Sequence, residues 1–167
     1  MSAMIDRTFP ITENLLNGGL QMALRLLDLL INESDTLRER KDPNLLMTIA
    51  ANKQDVVMQL ETFTRQLGQV LATEKLNPSH AGIFDYLDRA RTAGFETEKA
   101  RDAWVNITAV SKKCRTLNEQ NGASMELLIR NTQRALQILR GKSQLTSTYG
   151  PDGAARNELF SHTLVSV

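Results

Sequence analysis

From Thr97 to Arg140 the chain carries no proline and keeps a single rhythm. Ala100, Ala103, Ile107, Val110, Cys114, Leu117, Asn121, Ser124, Leu128, Asn131, Ala135 and Ile138 follow one another in steps of three and four. That spacing is a heptad seam and places these positions on one face of an α-helix. At 1.5 Å per residue the helix is expected to be on the order of 65 Å long. The first half of the seam is mostly apolar, whereas the second half contains Asn121, Ser124 and Asn131. Polar residues at core-type positions are costly unless paired. Their clustering predicts that the C-terminal half of the helix is less deeply buried, or is built to receive something else.

The other elements are marked by Pro10, Pro43, Pro78 and Pro151, each read as an element boundary because proline is tolerated mainly in the first turn of a helix. A first helix is expected from about Ile11 to Arg40, with its seam on Leu16, Leu20, Ala23, Leu27, Leu30, Ser34 and Leu37. Gly18 and Gly19 weaken its beginning and are read as close packing or fraying. Asp42-Pro43 is an N-cap followed by a first-turn proline, and opens a second helix to about Lys75. Seven of its eight seam positions are apolar, and Lys53 is the exception. Such a lysine either sets register or snorkels to water, and snorkelling is the reading favoured here. Asn77-Pro78-Ser79 ends that helix, a short one follows over Ser79 to Ala93 to cap one end of the bundle, and Gly94 stops it. Thr97 is the expected N-cap of the long helix.

The fold class that follows is all-α: an elongated antiparallel helical bundle, or coiled coil, of three long helices plus one short helix. Residues 1–140 form the bundle and residues 141–167 a flexible C-terminal tail. Aromatics make up only 5% of the chain and leucine dominates the apolar set, which suits helix packing. The net charge of +1 lacks the basic excess of a nucleic-acid binder. The densest apolar stretch, Leu24 to Ile31, holds Arg25 and Asp28 and is too short to span a bilayer, so no membrane insertion is expected. No signal peptide is visible, and one cysteine suits a reducing compartment; a cytoplasmic location is expected.

The residues of common catalytic sites are missing from this sequence. His80 and His162 stand in a loop and in the tail, without His-Glu-x-x-His or Glu-x-x-His spacing. No glycine-rich phosphate loop is present. Cys114 is flanked by Lys112, Lys113 and Arg115, yet it lies on the seam and is read as structural. Trp104 is read as packing on the short helix of Phe84 and Leu87. No enzyme and no cofactor are expected. A long amphipathic helix with a partly open face points instead to helix-in-groove recognition of another protein.

Leu117-Asn118-Glu119-Gln120-Asn121-Gly122, then Arg130-Asn131 and Ala135-Leu136, then Tyr149-Gly150-Pro151-Asp152-Gly153 resemble the C-terminal part of the FlgN family. That family comprises chaperones for the hook–filament junction proteins of the bacterial flagellum. Family members often place a bulky apolar residue directly after the Asn-Gly pair, and the chain departs from them with Ala123-Ser124-Met125. The resemblance implies a cytoplasmic export chaperone that masks the aggregation-prone helical segments of flagellar hook-associated junction proteins. It also implies delivery to the flagellar export gate and its associated export components. Leu117, Asn121, Gly122, Leu128, Asn131, Ala135 and Ile138 are expected to line or organise the cargo-receiving surface. Gly122 has an equal reading as a point of close helix approach. By analogy Tyr149, with Gly150, Asp152 and Gly153 of its turn, anchors the gate contact. Leu159, Phe160 and Leu164 are expected to add a second cargo contact or a self-masking one. The alternative is a non-catalytic structural or regulatory coiled-coil protein that oligomerises through the same seam; a homo-oligomer in the absence of cargo fits either reading.

Overall fold

The computed structural model describes residues 2–40 and 42–140. Four helices follow in order: α1 (Ser2–Glu39), α2 (Pro43–Thr73), α3 (His80–Thr92) and α4 (Glu98–Leu139). Three are long and one is short, and no strand occurs among the described residues.

Local chemistry accounts for most of the ends. The Asp42 carboxylate accepts the Asn44 amide at 2.9 Å, with Pro43 in the first turn of α2. α2 closes with Lys75 in the left-handed region (φ 56°), its amide bonded to the Ala72 carbonyl and that of Leu76 to Leu71. α3 closes the same way: Gly94 (φ 97°) bonds to Arg91 and Phe95 to Ala90. At the start of α3 the Ser79 hydroxyl accepts the Gly82 amide at 3.0 Å. A Cβ at Gly82 would collide with the Asn77 carbonyl oxygen, so glycine lets the α2–α3 turn fold onto the helix it precedes.

Pro10 does not mark a boundary, contrary to its reading in the sequence. It lies inside α1, which begins at Ser2. A proline there removes one backbone hydrogen bond and commonly costs about 3 kcal/mol. Burial offsets the loss: Ile5 is 6% and Phe9 4% exposed, and the Phe9 ring packs on Phe95 at 4.8 Å. Tyr86 of α3 ties the same turns down. Its hydroxyl donates to Thr8 Oγ1 (2.9 Å), which in turn donates to Oε1 of Glu74 (3.0 Å), the residue that caps α2, and Thr12 Oγ1 lies 3.2 Å from Tyr86.

Cross-helix pairs fix the directions. Thr8 meets Glu74, Gly19 meets Phe63 and Glu33 meets Lys53, so α1 and α2 run antiparallel. Ala23 meets Cys114, and one heptad on in both helices Leu30 meets Asn121; α4 therefore runs parallel to α1 and antiparallel to α2. Gly19 is a close-packing glycine, since a Cβ there would stand 2.6 Å from the Phe63 ring, while Gly18 faces open space.

The core has two parts. The larger joins Ile5, Phe9 and Leu16 of α1, Phe63, Leu67 and Leu71 of α2, Ile83, Tyr86 and Leu87 of α3, and Ala100, Ala103 and Ile107 of α4. Each leucine or isoleucine fully enclosed there contributes about 1.5–3 kcal/mol. The smaller part comprises Ala23, Leu30, Val110 and Cys114, flanked by Leu26, Leu27 and Leu117. Residues 1–121 form one compact unit, and α4 from Gly122 onward belongs to another.

Candidate partner-binding surface

From Gly122 to Arg140 no residue is buried. Within this stretch Met125 and Leu128 are half-buried, and every other side chain is exposed. The exposed set includes large apolar groups: Leu127 56%, Ile129 50%, Leu136 45%, Ile138 74% and Leu139 82%. Ordinary helix chemistry holds the segment in shape. Arg130 pairs with Glu126 one turn back at 3.7 Å, and the Thr132 hydroxyl donates to the Leu128 carbonyl at 2.9 Å. Apolar side chains left in water over consecutive turns are the physical signature of a surface awaiting a partner.

The residues singled out from the sequence divide into three groups. Leu128, Asn131, Ala135 and Ile138 lie on this open stretch, with Gly122 at its start. No atom lies within 4 Å of a Cβ built at Gly122, so close helix approach does not explain it among the described residues. Leu117 and Asn121 lie inward instead. Leu117 packs against the smaller core cluster, and Asn121 is 4% exposed. Asn121 therefore does not line an open surface. The third group, Tyr149, Gly150, Asp152, Gly153, Leu159, Phe160 and Leu164, lies outside the described residues.

Asn121 is satisfied within the bundle. Its Nδ2 donates to the Leu30 carbonyl and to Glu33 Oε2, both at 2.9 Å. Lys53 Nζ donates to both oxygens of the same carboxylate at 2.8 Å. The Glu33 side chain is 8% exposed and that of Lys53 20%. Lys53 is thus paired across helices and does not snorkel to water. The polar seam positions also have different fates: Asn121 is buried and bonded, while Ser124 and Asn131 are exposed. Sequence alone does not separate these cases, because the partner that makes burial tolerable, Glu33, stands far away in the chain.

Leu136 and Leu139 were missed as surface candidates. A heptad count advances 3.5 residues per turn, but a straight helix takes 3.6 and drifts about 20° per heptad. Five turns of about 3.6 residues carry the Asn121 direction to Leu139. Met125, Leu128, Ala135, Leu136 and Leu139 then share a stripe, and Ile138 sits about a quarter turn to its side. Counting at 3.6 beyond Asn121 would have found them.

Among the described residues, the reactive side chains of the bundle lie in packing positions. Cys114 is 6% exposed, and burial raises its thiol pKa, opposite to what an activated nucleophile needs. Burial likewise raises the Tyr86 phenol, against the smaller lowering effect of its bonds to Thr12 and Thr8. Trp104 packs on the first residue of α3, with its ring 5.5 Å from that of His80. Among the described residues no cluster of three or more His, Cys, Asp or Glu could hold a metal. No helix there is long and apolar enough to cross a membrane.

Comparison with known proteins places the chain in a family. The FlgN protein family matches residues 4–157. Two flagella synthesis proteins FlgN, from Salmonella typhimurium and Salmonella typhi, are each 27% identical over 117 residues, covering 64% of this chain and 83% of theirs. No solved structure matches.

Proposed function

We propose, from the premise that this chain belongs to the FlgN family, that it serves flagella synthesis as an export chaperone in the cytoplasm. Its clients would be the hook-associated junction proteins, held by their helix-forming terminal segments. The receiving surface is the open part of α4. The observation that carries this reading is the absence of any buried residue from Gly122 to Arg140 alongside five large apolar side chains at least 45% exposed. A client helix with apolar residues at i, i+3, i+4 and i+7 matches the stripe of Leu128, Ala135, Leu136 and Leu139. Met125 at its head supplies an adaptable thioether. Asn121 and Leu117 act by fixing where the stripe begins. Tyr149 and its Gly150-Pro151-Asp152-Gly153 turn would engage the export gate, and Leu159, Phe160 and Leu164 would add a further client contact.

Mixing the full chain with a junction protein and sizing the product by light scattering tests this reading. One-to-one heterodimers are expected, and Leu136→Asp with Leu139→Asp should abolish them without loss of helix content. Removal of residues 141–167 should weaken the complex while leaving helicity nearly unchanged. Tyr149→Ala should spare client affinity and reduce export. A concentration-dependent homo-oligomer indifferent to junction proteins would instead favour a coiled-coil assembly protein.

A further inference from the structure

The two core clusters hold α4 with unequal strength. The larger is rich in aromatics and branched aliphatics from all four helices. The smaller attaches α4 to α1 beyond Val110 through Ala23 and Leu30 against Val110 and Cys114, with the half-buried Leu26, Leu27 and Leu117 at its edge. A cleft of about 550 Å³ lies there, lined by Ala50, Lys53 and Val57 of α2 and by Ser111, Cys114 and Asn118 of α4.

At the far end of this weaker region stands the polar cluster, and it depends on a single group. The Glu33 carboxylate accepts from Lys53 of α2 with both oxygens and from Asn121 of α4 with one. The second amide hydrogen of Asn121 goes to the Leu30 carbonyl. We propose that Glu33, Lys53 and Asn121 form a latch. It holds residues Val110 to Asn121 on α1, and its release lets that stretch lift as a unit while the larger core stays folded.

Three features support the latch. Asn121 is the last buried residue of α4, so opening starts at an end and need not break the middle of the bundle. The bonds are charge-assisted and share one acceptor, so losing it releases both neighbouring helices together. The apolar contacts that remain after release are fewer than those of the larger core and include no aromatic ring. Lifting would uncover Val110, Cys114 and Leu117 and lengthen the apolar stripe of α4 toward its N-terminus. That a client would use the longer stripe rests on the functional reading above; the lifting itself does not.

Cys114, the only cysteine in the chain, reports the event directly. Its labelling by a thiol reagent is followed on the full chain without partner, beside amide exchange of Ile83 to Ala90 in α3. Asn121→Asp keeps the size and sets a second carboxylate against Glu33. It should speed labelling at least about tenfold, the loss expected for charge-assisted bonds, with α3 exchange unchanged within about twofold. Glu33→Gln, which keeps an acceptor, should give a smaller rise. If the aspartate variant does not fold, Asn121→Ala removes the strap without adding charge and is read the same way. Labelling that stays at the parent rate, or rises only in step with α3 exchange, would overturn the latch. Labelling that behaves as expected while client affinity is unchanged by either variant would uphold the latch and place the client outside the lengthened stripe.

Discussion

α4 contains two stretches with the same heptad rhythm and opposite surroundings. Over Glu98–Asn121 the seam positions Ala100, Ala103, Ile107, Val110, Cys114 and Asn121 are buried. Over Gly122–Leu139 none is. The difference does not lie in helix-forming ability, since both stretches are regular helix. It lies in what the facing elements supply. The first stretch finds the aromatic and aliphatic side chains of α1 and α3 and, at its limit, the Glu33 carboxylate. A periodic apolar face therefore specifies a helix, while burial depends on a partner; on the function proposed above, the partner of the second stretch comes from outside.

The largest expected effect separates the two stretches by stability. Phe63→Ala should cost about 3–5 kcal/mol, because the ring fills the space over Gly19 and its loss leaves a cavity. Leu139→Ala, at an exposed site, should stay within about 0.5 kcal/mol. Denaturant titration of both variants checks this, and comparable losses would break the contrast.

A smaller effect is alkaline. The Cys114 thiol and the Tyr86 phenol both have folded pKa values raised by burial above their ordinary 9.0 and 10.0. The folded state therefore holds these protons longer than the unfolded chain does. Their stabilisation is complete below about pH 9 and is lost as pH climbs through the raised values. The denaturation midpoint should fall steadily above pH 9, and Tyr86→Phe should flatten the upper part of that fall. Its neutral-pH cost should be about 1 kcal/mol, for the lost bond to Thr8. A midpoint independent of pH up to about 11 would remove the buried phenol and thiol from the account.

Gly122→Ala is the smallest. The site is exposed, helical and free of neighbours within 4 Å, so alanine should stabilise the helix by about 0.5–1 kcal/mol. A thermal midpoint that falls would mean that the glycine is needed for a contact or a bend within the chain.

Much of the fold was legible because its signals are local. Asp42-Pro43, Asn77-Pro78-Ser79, Gly94 and the uninterrupted seam each act within a few residues, and the boundaries at α2, α3 and α4 follow them closely. Pro10 misled because the forces that carry α1 past it are tertiary: Phe9 on Phe95, and Tyr86 on Thr8 and Thr12. Lys53 and Asn121 misled for the same reason, since Glu33 decides both. The open surface itself was visible as a run of seam positions, but Leu136 and Leu139 escaped because the heptad period drifts from the true helical one.

Residue-resolved amide exchange along α4, free and with a junction-protein client, tests the central claim most directly. In the free chain, amides of Glu98 to about Val110 should exchange slowly, near the limit set by global unfolding. Those of Gly122 to Leu139 should exchange orders of magnitude faster, as in a helix without tertiary support. Adding the client should slow the second group and leave the first unchanged. Equal protection along the whole helix in the free chain, or client-induced protection confined to residues before Asn121, would contradict it.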